Sequence, residues 1–204
     1  MNRSRLLAFI ALLGACTNSD SPGADSSSSG VPVGESAAGN GTALAAGCTT
    51  QRITGDSIGP LRIGMPVDSV PLVCPVQRDT TVRGVEGQMS RVLNVLVGND
   101  TVFAEIADAR VWRLLVRSQG LFTADSLSVG SSVLDLVALP SPNPMVGEGY
   151  LYVATPAHCG MSFRLSVPPS TLTKGEWTTA ELRKLDLSVH VTRILIFGCK
   201  QPPR

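Results

Sequence analysis

Aromatic residues are scarce in this chain of 204 residues: two Trp, two Tyr and five Phe. Any sizeable core must therefore be built from Val, Leu and Ile. Histidine is scarcer still, with only His158 and His190. The cysteines form no CxxC pair, so neither a metal nor any other cofactor is expected. No apolar run reaches the ~20 residues that a bilayer-spanning helix needs. Lys and Arg stand singly, with no basic cluster, which argues against nucleic acid as a partner. No phosphate-binding glycine loop is present and no serine is assigned as a nucleophile, so no catalytic residue is expected.

What is present begins at the N-terminus. Arg3 and Arg5 precede the apolar run Leu6 to Leu13, and Gly14 and Ala15 are small. That is the three-part pattern of an export signal over residues 1–15. Leu13-Gly14-Ala15-Cys16 resembles the lipobox of bacterial lipoproteins. The resemblance implies cleavage before Cys16, a diacylglyceryl thioether on it, and N-acylation by a fatty acid such as palmitate. The partner there is membrane lipid, because several acyl chains together hold a protein stably. Thr17, rather than an acidic residue, follows Cys16, which resembles an outer-membrane address facing the periplasm.

Residues 16–46 are rich in Ser, Gly, Ala and Asn, including four consecutive serines from Ser26 to Ser29. A chain so poor in large apolar groups cannot offset the entropy of ordering, so a flexible tether is expected. Cleavage before Cys16 removes two of the 17 basic residues and none of the 16 acidic ones, leaving a net charge of −1.

Cys48, Cys74, Cys159 and Cys199 remain, and an even number in an exported domain points to two disulfides. Three pairings are open. Cys48–Cys74 with Cys159–Cys199 is preferred. Setting Cys159 opposite Cys199 in an antiparallel pair of strands also sets Phe163 opposite Leu195 and Val167 opposite Val191, matching apolar side chains.

The domain over 47–204 is expected to be α+β. Arg91–Val97, Thr101–Ala107 and Val111–Arg117 predict a three-stranded meander with turns at Gly98-Asn99-Asp100 and Asp108-Ala109. The alternation puts Trp112, Leu114 and Val116 on one face. Tyr150–Ala154, Met161–Val167 and Val189–Phe197 predict further strands. Pro142 to Gly149 reads as a loop, and Glu176–Leu185, after a Lys174-Gly175 turn, as a surface helix. Leu61 to Val70 aligns without gaps on Leu127 to Leu136, matching Leu61, Gly64 and Val67 with Leu127, Gly130 and Val133. Each copy predicts a glycine turn and a short helix, with Ser131 or Ser132 as an N-cap, and with Pro71 and Pro140 as stops. The prediction is two tandem units, about 57–118 and 123–199, each a short helix plus antiparallel strands, with helices packed on one face of the sheet.

This arrangement resembles exported bacterial proteins built from tandem helix-plus-sheet repeats, among them the beta-lactamase inhibitory protein and the small lipoproteins of the barrel-assembly machinery. Residues 110–139, with the pattern Thr123-x-Asp125-x-Leu127-x-Val129-Gly130, look like exported domains in which a strand leads into a turn and helix. The cysteine spacing differs from the inhibitory protein's, and no aromatic-rich binding face stands out, so that inhibitor's target does not transfer. The expectation is a non-enzymatic protein-binding or scaffolding lipoprotein of the cell envelope, with an envelope protein as partner. Inhibition of an exported hydrolase is the alternative, and an enzyme with an unrecognised site ranks behind both. His158 reads as a surface residue beside a disulfide cysteine, His190 as a surface or edge residue, and Asp125 as turn chemistry.

Overall fold

A computed structural model describes residues 48–83, 89–172 and 176–199. The expected signal segment, Cys16, the tether and the Lys174-Gly175 turn lie outside the described residues.

Valine-rich alternation dominates the sequence, and strands dominate the structure. A small two-stranded sheet joins β1 (Ser57–Ile58) and β2 (Leu61–Arg62). The main sheet has eight antiparallel strands: β3 (Val76–Arg83), β4 (Met89–Val97), β5 (Asp100–Ala107), β6 (Arg110–Val116), β7 (Asn143–Gly147), β8 (Tyr150–Ala154), β9 (Met161–Leu165) and β10 (Val191–Ile196). Their spatial order is β3-β4-β5-β6-β10-β9-β8-β7. The strand latest in sequence thus lies between β6 and β9. Helices are few and short: α1 (Val70–Val73), α2 (Val133–Val137) and α3 (Thr179–Leu182). The α+β class holds in this sheet-dominated form.

Local chemistry explains the connections. β5 and β6 turn through Asp108-Ala109, at φ 49° and 56°, and β7 and β8 through Glu148-Gly149, at φ 50° and 76°. Two consecutive residues with positive φ match the twist of the flanking strands. Ser132 is the N-cap of α2 and forms a capping box with Asp135; Thr178 and Glu181 do the same for α3.

Several sequence expectations need correction. β7 occupies the stretch read as a loop. It is an edge strand, where Pro144 removes no ladder bond that a neighbour needs. β3, the opposite edge, carries mostly exposed polar side chains and gives little hydrophobic signal. Pro71 does not stop α1; it sits in that helix's first turn, where its missing N–H is not needed. The predicted helix over 176–185 shrinks to the four residues of α3.

The strand faces also shift. Glu105 pairs with Arg113 and Ile106 with Val111, so Trp112 is an extra bulged residue. Val111 is therefore buried and Trp112 is 40% exposed, the reverse of the simple alternation. A matching bulge lies at Thr192, between Val191–Leu165 and Arg193–Arg164. From Met161–Ile196 onward the pairing already lies one residue off the expected register, so Phe163 faces Ile194 rather than Leu195; the bulge adds one more, so Val191 faces Leu165 rather than Val167. Phe163 and Ile194 are both fully buried, so the bulged register matches apolar pairs better than the expected one.

The preferred disulfide pairing is present. Cys48 bonds Cys74 and Cys159 bonds Cys199, with Cα–Cα distances of 5.3 and 5.4 Å. The main core draws on Leu93, Val95, Val102, Leu114, Leu151, Phe163 and Ile194 from the sheet. Val70, Leu136 and Leu182 of the helices belong to the same cluster. At about 1.5–3 kcal/mol per buried aliphatic side chain, this cluster supplies most of the driving force for folding.

The two aligned segments use their residues alike. Leu61 and Leu127 are buried, as are Val67 and Val133, and Gly64 and Gly130 have φ of 81° and 97°. Gly64 N–H donates to the Val111 carbonyl and Gly130 N–H to that of Val191. Val67 N–H donates to Ala109, and Val133 N–H to Val189.

Candidate functional site

Two constellations stand out. The first grows from Thr123-Ala124-Asp125. The Thr123 hydroxyl donates to Asp125 Oδ1 at 2.5 Å and accepts the Leu127 N–H at 3.0 Å, closing a tight turn. The other oxygen, Asp125 Oδ2, meets His158 Nε2 at 3.0 Å. His158 is 8% exposed, with its ring edge-on to Phe163 at 5.5 Å. It is thus a buried residue, not a surface one, and the turn aspartate is its partner. Burial raises the Asp125 pKa, but the hydrogen bonds from Thr123, the backbone and His158 outweigh it, so the carboxyl titrates below its ordinary value.

Depressions of about 330 and 500 Å³ flank His158, beside the Cys159–Cys199 bond. Cys159 offers no thiol, so His158 and Cys159 form no nucleophile pair. Gly55-Asp56-Ser57-Ile58-Gly59 fits the spelling of a nucleophile elbow. Ser57 lies in β1 rather than at a strand-to-helix turn, and its hydroxyl pairs with that of Thr54 at 2.7 Å. Among the described residues, Asp125 is the sole side-chain hydrogen-bond partner of His158. Thr54-Gly55-Asp56-Ser57 repeats the Thr123 turn, with the Thr54 hydroxyl on Asp56 at 2.9 Å. These are turn and packing devices.

The second constellation lies on the other face of the main sheet. Residues alternating with the core side chains gather there, and the register places them side by side: Asn94, Phe103, Leu115 and Leu195 across β4, β5, β6 and β10. Leu115, Leu195 and Tyr152 form a second, small apolar cluster with Phe103 and Tyr150 against it. Around them stand arginines that are far apart in sequence. Arg113 is gripped by Glu105 through two hydrogen bonds of 3.0 Å, with Glu148 at 3.6 Å, and its guanidinium lies 4.6 Å from the Trp112 ring. Arg117 lies 4.6 Å over Phe103 and Arg164 3.7 Å over Tyr150. Arg193 pairs across the ladder with Arg164. Burial, then the charges of Arg117 and Arg164, lower the Arg193 pKa.

Shallow depressions of about 180 and 280 Å³ open onto this face. The first is lined by Arg113, Tyr152 and Phe197, the second by Arg78, Phe103 and Arg117. Aromatic and basic residues that stand singly in the sequence are thus grouped by the fold. Alternation in β5, β6 and β9 carried part of that signal, but the two bulges hid which face each residue would join.

His190 is exposed just before β10, and its Nδ1 lies 2.8 Å from the Ser188 carbonyl. The four domain cysteines are consumed in disulfides, and the lipidation candidate Cys16 lies outside the described residues.

No family model and no curated protein matches this chain. A solved structure, that of the uncharacterized protein yfeY from Escherichia coli, is similar over 72% of this chain and 97% of its own. Its identity is 13% and its TM-score 0.48, a likeness too distant to carry an argument about fold or function.

Proposed function

We propose that the protein is a lipid-anchored lipoprotein of the bacterial cell envelope whose folded domain binds another protein without catalysing a reaction. On this reading Cys16 carries the acyl chains, the Ser/Gly/Ala segment is the tether, and the outer membrane, periplasmic side, is the favoured location. Two disulfides in the domain suit an oxidising compartment.

We infer further that the domain is a pair of tandem units, each contributing four strands, with the helices on one face. The matching glycine turns, hydrogen bonds and bulges support this. The strand order, read outward from the β6–β10 pair, is the same on both sides.

The observation that carries the binding reading is the sheet face away from the main core. Arg, Tyr and Trp are the residue types that concentrate binding energy in protein interfaces. Here Arg117, Trp112 and Phe197 are exposed among others partly buried. The test is capture of envelope proteins by the full-length, membrane-extracted protein, compared with Trp112→Ala and Phe197→Ala. Capture weakened by either exposed-ring substitution is the expected outcome. Capture indifferent to both, or recovery of the intact chain from the cytosol with residues 1–15 present and all thiols reduced, would sink the reading. Intact mass measurement of the extracted protein gives the acyl groups on Cys16 at the same time.

A further inference from the structure

The two central strands of the sheet differ at one matched position. β6 and β10 each carry a bulge one residue after Val111 or Val191, followed by an arginine: Arg113 in one and Arg193 in the other. They pair with each other so that Leu115 faces Leu195, with Val116 on Ile194 and Leu114 on Ile196. Each strand therefore sees the other from the same position. On the next strand outward, Arg113 faces Glu105. At the same place in the second half, Arg193 faces Arg164.

Like charges directly opposite each other in a ladder destabilise it. A third cation joins them. Arg117 follows Val116, the partner of Ile194, and its charge acts on Arg193. Glu105 and Glu148 both converge on Arg113. Among the described residues no carboxylate lies within 4.0 Å of Arg117, Arg164 or Arg193. Arg164 Nε donates to the Thr192 hydroxyl at 3.1 Å, a neutral partner that leaves its charge unbalanced. Its guanidinium is also held on the Tyr150 ring, which fixes the fork in place.

From this contrast we propose that Arg117, Arg193 and Arg164 form a docking site for an acidic segment of a partner protein, whose Asp or Glu carboxylates take the place that Glu105 fills in the first half. This rests on the protein-binding reading above and gives that partner its chemistry. A planar guanidinium donates two parallel hydrogen bonds to a carboxylate, so an Arg row held in place favours carboxylates over diffuse negative charge. Tyr150, Tyr152 and Phe103 around the row offer apolar contact to the flanking residues of a polypeptide. A lipid or nucleic-acid surface would call for a broader basic field than three arginines beside Glu105 and Glu148.

The test uses the full-length protein and a fluorescein-labelled peptide of twelve alternating Glu and Asp residues. Glycerol 3-phosphate as a soluble lipid headgroup, single-stranded oligonucleotide and inorganic phosphate are the comparison probes, since an acyl anchor would itself enter a vesicle. The peptide should bind more tightly than the other probes and weaken with rising salt. Arg164→Glu should recreate the Arg113–Glu105 arrangement in the second half. Peptide affinity should then fall at least tenfold while the thermal midpoint holds or rises. Arg117→Gln, at an exposed position, should lower affinity several-fold without changing the midpoint.

Unchanged affinity in both variants overturns the proposal, as does stronger binding of glycerol 3-phosphate, oligonucleotide or inorganic phosphate than of peptide. If the peptide fails to bind but envelope capture still depends on Trp112 or Phe197, the acidic-segment proposal falls and protein binding stands. If capture is indifferent to those rings, the wider reading falls too.

Discussion

The two halves of the sheet solve one structural problem with opposite electrostatics. In the first, Arg113 sits between Glu105 and Glu148 and stacks near Trp112. In the second, Arg193 occupies the corresponding place with Arg164 across from it and Arg117 beside it. The backbone route is the same, down to a bulge and a glycine turn. Side chains that face the core must fill space whichever half they belong to, whereas side chains on the other face are free to diverge. The difference shows that backbone geometry and surface charge are separable in this fold.

The core offers the sharpest way to break that comparison. Phe163 in β9 lies where the first half has Ala104, and both are fully buried. Phe163→Ala should cost about 3–5 kcal/mol, measured as a shift in the denaturant midpoint, because a large cavity opens in a packed interior. A loss near zero would mean that the second half packs loosely.

Next in size are the disulfides, one in each half. Removing Cys159–Cys199 by double substitution to Ser should cost roughly 2–4 kcal/mol. It spans 40 residues where Cys48–Cys74 spans 26. On loop entropy alone, the longer closure should contribute only about 0.4 kcal/mol more. Chemical denaturation of the two double mutants compares them directly. A much larger gap would show that one half depends on its bridge for more than chain entropy.

Glu105→Gln removes the main acidic partner of Arg113, whose side chain is 16% exposed. The expected loss is roughly 1–3 kcal/mol by thermal melting, since a largely buried cation is left short of its partner. Arg164→Glu, its counterpart in the other half, should move stability the other way. Equal losses from both would erase the contrast on which the acidic-segment proposal stands.

The smallest effect concerns acid. The folded pKa of Asp125 is depressed, so its contribution is present above the unfolded carboxylate value of about 4 and is lost as pH falls through the lower folded value. The carboxylate is 44% exposed, and solvent screening holds the contribution to at most about 1 kcal/mol. Stability measured from pH 6 down to pH 3 should fall less in Asp125→Asn than in the unaltered protein. Parallel curves would remove Asp125 as a source of acid sensitivity.

Much of the scaffold was legible in the sequence because it is written in local patterns. Arg91–Val97 is a plain apolar run, Thr101–Ala107 alternates, Gly64 and Gly130 mark positive-φ turns, and Ser131 or Ser132 offers the N-cap that Ser132 supplies. What escaped depends on one-residue events and long-range assembly. The bulges at Trp112 and Thr192 have no signature of their own, yet each reverses which side chains meet the core. Asp125 and His158 are 33 positions apart and were read separately as turn and surface. The arginine row draws on β9, β10 and the residue just past β6, so counting basic residues along the chain dispersed what the fold assembles. The edge strands β3 and β7 lacked signal because half of their surroundings is solvent.

The placement of β10 in the middle of the sheet has a consequence for biosynthesis. Both meanders are made before it, and until it arrives β6 and β9 each present an unpaired margin of N–H and C=O groups. A ribosome releases β10 only after both meanders, so neither earlier section can seal itself against neighbouring chains while waiting. Completion of the sheet is therefore tied to delivery of the final strand, and a message cut short before Val191 would yield adhesive fragments rather than a smaller working domain.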